Sequence, residues 1–439
     1  MLVLTAALLM TACSSSNETP ASDSRQSEPQ AVSFGAYINR GTTRGGEPGV
    51  LTVDGAASTT SLQSVGFGVF AYYTDDRLYS QTSLPDFMYN QQVTKPSTAS
   101  WVYSPVKYWP NETGAAAESD GIDHLSFFAY APYAEVAPAT GRVTDGSTTG
   151  ITSLTRSNES GDPYVRYFVS FDPAQSVDLC WATPHLDQTK PAVNTPVSFN
   201  FKHALAALNV QISADIDVAD HSASTFADTY TRIYVRSVTF QGFADRGQLN
   251  LNNDNTVPAW NNLDCDCDLT SSPITVHDGR RNGHEGLAVS LNERPTGLNP
   301  AIIQSGAYTV TPGSPDVLTP ATTGVTTTTV NLFNSATAEA PIFVIPTNDQ
   351  LRVTITYDVE TYDAKLINQY LSDGVTNGSS IPNTITATVT NSSSEPITLE
   401  AGKKYTINLH LGMTSVKATA TVTAWTDGDT AVVDVPGND

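Results

Sequence analysis

The chain has 439 residues, enough for two substantial cores, and carries 44 acidic side chains against 22 lysines and arginines, a formal charge of −22. Such a surplus repels phosphate backbones and anionic headgroups, so no nucleic-acid partner is expected. Four cysteines are too few for a disulfide framework, which leaves packing to hold the fold.

Residues 1–12 form an apolar run that ends at Cys13. The run is roughly 11 residues long, short of the roughly 20 that span a bilayer as a helix, and reads as a processing signal. Leu9-Met10-Thr11-Ala12-Cys13 resembles a bacterial lipobox, so residues 1–12 are expected to be a lipoprotein signal peptide and Cys13 the residue that takes the lipid. No lysine or arginine precedes the run, which leaves a start upstream of Met1 open. Residues 13–30 contain no aromatic or branched aliphatic side chain and cannot offset the entropy of ordering, as suits a flexible tether.

A lone strand-like segment follows, Ala31 to Asn39. Val32, Phe34, Ala36 and Ile38 share one face, and Ser33, Gly35, Tyr37 and Asn39 the other. Burying Val, Phe and Ile at roughly 1.5–3 kcal/mol each makes this a core-filling strand, whose removal would expose an apolar groove and unpaired backbone. Arg40 and Arg44 flank a polar, glycine-containing stretch that a protease could draw extended, though an ordinary connection with two solvated arginines has the same composition.

Further along, period-two alternation recurs. It is clearest at Leu351, Val353, Ile355, Tyr357 and Val359, at Tyr405, Ile407, Leu409 and Leu411, and at Val416, Ala418, Ala420, Val422 and Ala424. Helical spacing is scarce, with short candidates only at Lys202–Leu208 and Ala364–Leu371. An all-β sandwich architecture is expected. Two prolines in Thr189–Pro196 mark a boundary, giving an N-terminal β-sandwich domain over residues 31–195 and a C-terminal one over 196–439. The last alternating strand either enters a neighbouring molecule's groove as a donor or completes its own domain.

Chemistry is sparsely signalled. Asp264-Cys265-Asp266-Cys267-Asp268 spaces its thiols too closely for a zinc site, and an EF-hand would need Gly and Glu where Leu269 and Thr275 stand. A solvated acidic loop, or a disulfide from Cys180 to one of the pair, fits better. His284-Glu285 lacks the second histidine of a metalloprotease motif, since Ala288 occupies that position. His203 reads as a packed or capping residue and His410 as solvent-facing. No nucleophile elbow or phosphate loop is present, so neither an enzyme, a metal nor a cofactor is expected. Trp101, Tyr103, Tyr108, Trp109 and Tyr133 could stack on sugar rings or serve as core residues.

Several segments, in chain order, resemble the fimbrillin-like family, the pilins of type V pili. They are Val32-Ser33-Phe34-Gly35-Ala36-Tyr37, Phe87-Met88-Tyr89-Asn90-Gln91, the proline-broken aromatic run from Trp101 to Asn111, Phe127-Phe128-Ala129-Tyr130-Ala131-Pro132-Tyr133, Phe201-Lys202-His203-Ala204-Leu205, and Ala401-Gly402-Lys403-Lys404-Tyr405-Thr406. The resemblance implies two tandem transthyretin-like (Greek-key) β-sandwich domains. It also implies an outer-membrane lipoprotein precursor, a trypsin-like protease cutting after Arg40 or Arg44, and polymerisation with other pilin subunits by β-strand addition into a cell-surface fimbrium that serves adhesion. The competing expectation is a non-polymerising surface lipoprotein that binds a glycan or host protein.

Overall fold

The computed structural model describes residues 29–38, 61–96, 100–110, 122–136, 149–214 apart from 172 and 174, 229–261, 274–278, 302–304, 308–309, 319–320, 330–331, 341–363, 378–411 and 416–424. Over these residues the protein is all-β, with one short helix, α1 (Leu62–Val65), capped by the Ser61 side chain. No helix among them is long and apolar enough to cross a membrane.

Sheet A runs in the order β1 (Phe34–Ile38), β9 (Val197–His203), β7 (Cys180–Ala182), β4 (His124–Ala131), β2 (Phe67–Thr74) and β3 (Met88–Val93), with β8 (His185–Gln188) also paired to β4. Sheet B runs β14 (Ala259–Asn261), β13 (Arg246–Asn250), β6 (Tyr164–Phe168) and β5 (Gly150–Leu154). Sheet C runs β12 (Phe243–Ala244), β20 (Ile342–Pro346), β10 (Ala206–Ala214), β23 (Lys403–Leu411) and β24 (Val416–Ala424), with β19 (Val330–Asn331) on β10. Sheet D runs β15 (Ile274–Asp278), β11 (Thr229–Gln241), β21 (Arg352–Asp363) and β22 (Gly378–Thr388), with β16 (Ile302–Gln304) on β11. A separate pair joins β17 (Tyr308–Thr309) to β18 (Thr319–Pro320).

The alternating segments form half-buried strands. In β21, Val353, Ile355 and Tyr357 are buried while Thr354 and Thr356 face outward, where their hydroxyls meet those of Thr386 and Thr384 at 2.8 and 3.3 Å. In β23, Tyr405, Ile407, Leu409 and Leu411 are buried between partly exposed neighbours. β4 behaves differently: every residue of HLSFFAYA is buried, because both faces of sheet A are covered. Phe128 and Tyr130 join one apolar cluster with Phe70, Tyr72 and Trp181, which continues through Leu154, Val165 and Tyr167 of sheet B into sheets C and D. Phe127 and Ala129 turn to a second cluster with Phe67, Val69, Phe199 and Phe201.

Strand pairing crosses the expected boundary at residues 195 and 196. β9 lies in sheet A between β1 and β7, and β13 pairs with β6 in sheet B. The expected helical turn at Lys202–Leu208 is absent. Those residues end β9, pass through the fully buried Ala204 and Leu205, and begin β10, so pairing in two sheets overrides the helix preference of an Ala/Leu-rich run. The other helix candidate, Ala364–Leu371, lies outside the described residues.

The passage from sheet D to sheet C turns at Gly242, whose φ of +110° favours glycine. A Cβ there would lie 2.7 Å from Gln350 O and 2.8 Å from Leu351 Cα, both backbone atoms. Gly242→Ala is therefore expected to lower stability by about 2 kcal/mol or more, measured by urea denaturation, whereas Gly402→Ala, with no neighbour nearer than 3.9 Å, should cost less.

Candidate functional site

The first described strand occupies the edge of sheet A. β1 runs parallel to β9 in the register Phe34↔Val197 through Ile38↔Phe201. Just before it, the chain is gripped on its other side: Val32 N–H donates to Lys107 O at 2.9 Å, and Trp109 N–H donates to Gln30 O at 2.9 Å. Gln30, the last residue of the expected tether, is thus held by the 101–110 segment. Val32, Phe34 and Ile38 are buried, Ala36 packs against the same cluster, and Tyr37 points outward at 43% exposure.

Phe34 is the centre of this contact. Its ring meets Tyr103 at 5.3 Å between centroids, Phe127 and Phe199 at 5.9 Å and Phe67 at 6.4 Å. Aromatic pairs at such distances add to the burial of area itself. Tyr103 acts as a clamp. Its hydroxyl donates to Val32 O at 2.8 Å, with Lys107 O at 3.2 Å, and accepts from Lys107 N–H at 3.3 Å. Burial raises its pKa, so the phenol keeps the proton that holds Val32.

Of the five aromatics that could stack on sugars, Trp109 is buried, while Trp101 and Tyr103 pack against the second cluster and Tyr133 is partly buried. Tyr108 alone among them is exposed, at 52%. Cys13, Arg40, Arg44 and the Asp264–Asp268 stretch lie outside the described residues.

β24 forms an edge of sheet C, antiparallel to β23, with Ala418 and Ala420 buried and Val422 packed beside them in the first cluster. Its free side is engaged at mid-strand: Ala420 N–H donates to Thr390 O at 3.0 Å, and Thr390 N–H donates to Ala418 O at 3.2 Å. The side chains of Val416 and Ala424 are outside the described ones. His410 is only partly exposed.

One polar cluster escaped the sequence reading. Asp178, Cys180 and His203 are buried, with Asp178 Oδ2 2.8 Å and Cys180 Sγ 3.5 Å from His203 Nδ1. Cys180 and His203 are cross-strand partners, and Asp178 stands two residues before Cys180, so the cluster fastens the start of β7 to the end of β9. The Cys180 thiol is free, which removes the expected disulfide to Cys265 or Cys267. These three donors could hold a metal, but they are one short of a closed zinc site. Burial, aided by the Asp178 charge, pushes the Cys180 thiol well above its usual range, so a metal would have to displace a tightly held proton.

Two measurements test this geometry. Phe34→Ala should weaken the seat by about 3 kcal/mol, so that amides of residues 34–38 exchange with deuterium while those of β4 stay protected. Iodoacetamide at pH 8 should leave Cys180 unmodified in the native chain and label it in urea, read by peptide mass spectrometry, because the thiolate is the nucleophile.

A family model described as fimbrillin-like matches residues 56–425, a span that begins after β1 and Arg44. No curated protein matches the chain. Among solved structures, a fimbrial protein from Bacteroides vulgatus ATCC 8482 is 20% identical, with 90% of this chain and 99% of that one covered and a TM-score of 0.48. A structure from Bacteroides uniformis ATCC 8492, provisionally described as a cell adhesion protein, is 14% identical, with coverage of 90% and 99% and a TM-score of 0.37. With most of its length matched by the family model, the chain belongs to the fimbrillin-like family.

Proposed function

We propose that this protein is a structural and adhesive subunit of cell-surface fimbriae. It is exported as a lipoprotein through Cys13, held at the outer membrane by its lipid, and polymerised with other pilin subunits. A trypsin-like protease cuts after Arg40 or Arg44, β1 leaves, and a strand from another subunit takes its place. No cofactor is involved. Family membership supports the pilin or adhesion role and a place in a cell-surface fimbrium.

The observation that carries the strand-addition step is the seat of β1. This is a five-residue edge strand, paired along its length with β9 alone, and it brings Val32, Phe34 and Ile38 into a core they share with sheet A. Gross burial of three such side chains is about 6 kcal/mol, while ordering a residue costs about 1–2 kcal/mol. The strand therefore depends on attachment, which keeps its effective concentration near the millimolar range. A cut behind Ile38 removes that advantage and frees an aromatic groove and the β9 edge for another strand.

The rival reading, a surface lipoprotein that binds a glycan by aromatic stacking, has a single exposed ring among its five candidates, Tyr108. Limited trypsin treatment should yield oligomer ladders in unheated electrophoresis that collapse on heating and are missing from uncut protein. The mass of subunits from mature fibres should lack everything up to Arg40 or Arg44. Fibres whose subunits retain residues 14–40 would refute the strand-addition step.

A further inference from the structure

The 101–110 segment that covers sheet A is apolar on both sides. Trp101, Tyr103 and Trp109 turn inward to the second cluster, as a cover requires. Between them, Val102, Val106 and Tyr108 are 44, 50 and 52% exposed. On β21, by contrast, the outward positions are threonines, whose hydroxyls meet those of β22. Large apolar side chains scattered singly over a surface need no account, but three in one short segment, set against its own inward rings, mark a contact surface.

The segment is also held in shape. Thr94 and Val102 exchange both backbone hydrogen bonds, at 2.9 and 2.8 Å, and Gln91 Nε2 donates to Ser104 O at 3.2 Å. Lys107 O and Trp109 N–H bind the chain ahead of β1. A partner meeting this surface has little backbone to order, which lowers the entropic cost of docking.

Charge decides what kind of partner fits. From Phe87 to Asn111 there is no Asp or Glu, in a chain with 44 of them among 439 residues. The same stretch holds Lys95 and Lys107, whose ammonium groups each stand 5.7 Å from a ring centroid, Lys95 over Trp101 and Lys107 over Phe87. It is thus positive and apolar on a molecule of formal charge −22. Such a patch attracts acidic surfaces, which every other copy of this chain supplies. Two patches face to face would set lysine against lysine, so the patch meets a different face of its neighbour. A glycan is a poorer match, because sugars stack on rings and two of the three exposed side chains are valines.

We infer that Val102, Val106, Tyr108, Lys95 and Lys107 form a docking surface for an acidic face of a second copy of this chain, a head-to-tail contact in which no strand leaves its sheet. This rests on the reading of the protein as an assembling subunit, and it adds to that assembly a contact separate from β1.

Carbodiimide coupling of the uncut full chain tests it, since β1 stays seated and the reagent joins an ammonium to a carboxylate only where the two touch. Isotope-labelled and unlabelled protein are mixed before coupling, and mixed-isotope peptides identify links between copies. Lys107 or Lys95 should be joined to an Asp or Glu of the other copy more often than any other lysine. Val106→Asp, which keeps both lysines, should lower that yield about tenfold, whereas Val193→Asp, at a still more exposed valine outside the patch, should leave it within about twofold. Between-copy links that avoid both lysines overturn the surface, as do a Val106→Asp yield within about twofold of the native one and the absence of any between-copy link. Retention on a sulfated-glycan column that Val106→Asp abolishes, without between-copy links, overturns the second copy as occupant in favour of a glycan. Trypsin-induced ladders are scored separately: ladders without links sink the docking surface alone, and links without ladders sink the strand-addition step alone.

Discussion

The face of β2 and β4 that carries Phe67 and Phe127 has no second sheet against it among the described residues, and the organisation of this end of the molecule follows from that. The opposite face, with Phe70 and Phe128, is covered by sheet B and continues into the largest core. Large rings left facing water would be unfavourable on both sides, so the exposed-side cover must be assembled from what is near. It consists of α1 with Leu62, the 101–110 segment with Trp101, Tyr103 and Trp109, and β1 with Val32, Phe34 and Ile38. The 101–110 segment lies between β3 and β4, and α1 directly precedes β2; β1 alone of the three adds a strand to the sheet.

That arrangement makes β1 different in kind from the other edge strands. β24 follows its partner β23 after a short connection and pairs with it antiparallel over nine residues. β1 pairs parallel with a strand far along the chain, over five residues. Parallel pairing is slightly weaker per residue, and contacts between distant segments form only after the loop between them has closed. β1 thus has less local support than β24, whose partner lies next to it in the chain. Tyr103 reinforces the docking at one carbonyl, Val32 O, ahead of the strand itself.

Much of this was legible in the residues, for reasons that also mark where legibility stops. Period-two alternation reports which face of a strand meets apolar surface, so Val353, Ile355, Tyr405 and Ile407 could be placed inward from spacing alone. The run at Phe127–Tyr130 has no such alternation, and that its rings divide between two cores emerges only from the structure. The Asp178–His203 contact has no local signature, because it depends on β7 and β9 lying side by side. The same is true of Tyr103: its ring could be foreseen as a core residue, but the Val32 carbonyl it holds is a fact of tertiary structure. At Lys202–Leu208 the local preference was misleading, since a chain changing sheets needs extended backbone on both sides of the change.

The position of the polar cluster gives this last point a mechanical sense. His203 ends β9, and two residues later β10 begins in sheet C, with Ala204 and Leu205 fully buried between them. Asp178 and Cys180 hold that end of β9 to β7 through side chains shielded from water, where hydrogen bonds are strong and costly to leave unmade. The other end of β9 carries β1. β9 is thus anchored at its far end, by the Asp178–His203 contact and by β7 over Phe201–His203, while His185 Nε2 meets Ser198 O at 3.0 Å within the stretch that pairs with β1. The buried pair at the junction of sheets A and C thus fixes one end of the strand on which β1 rests.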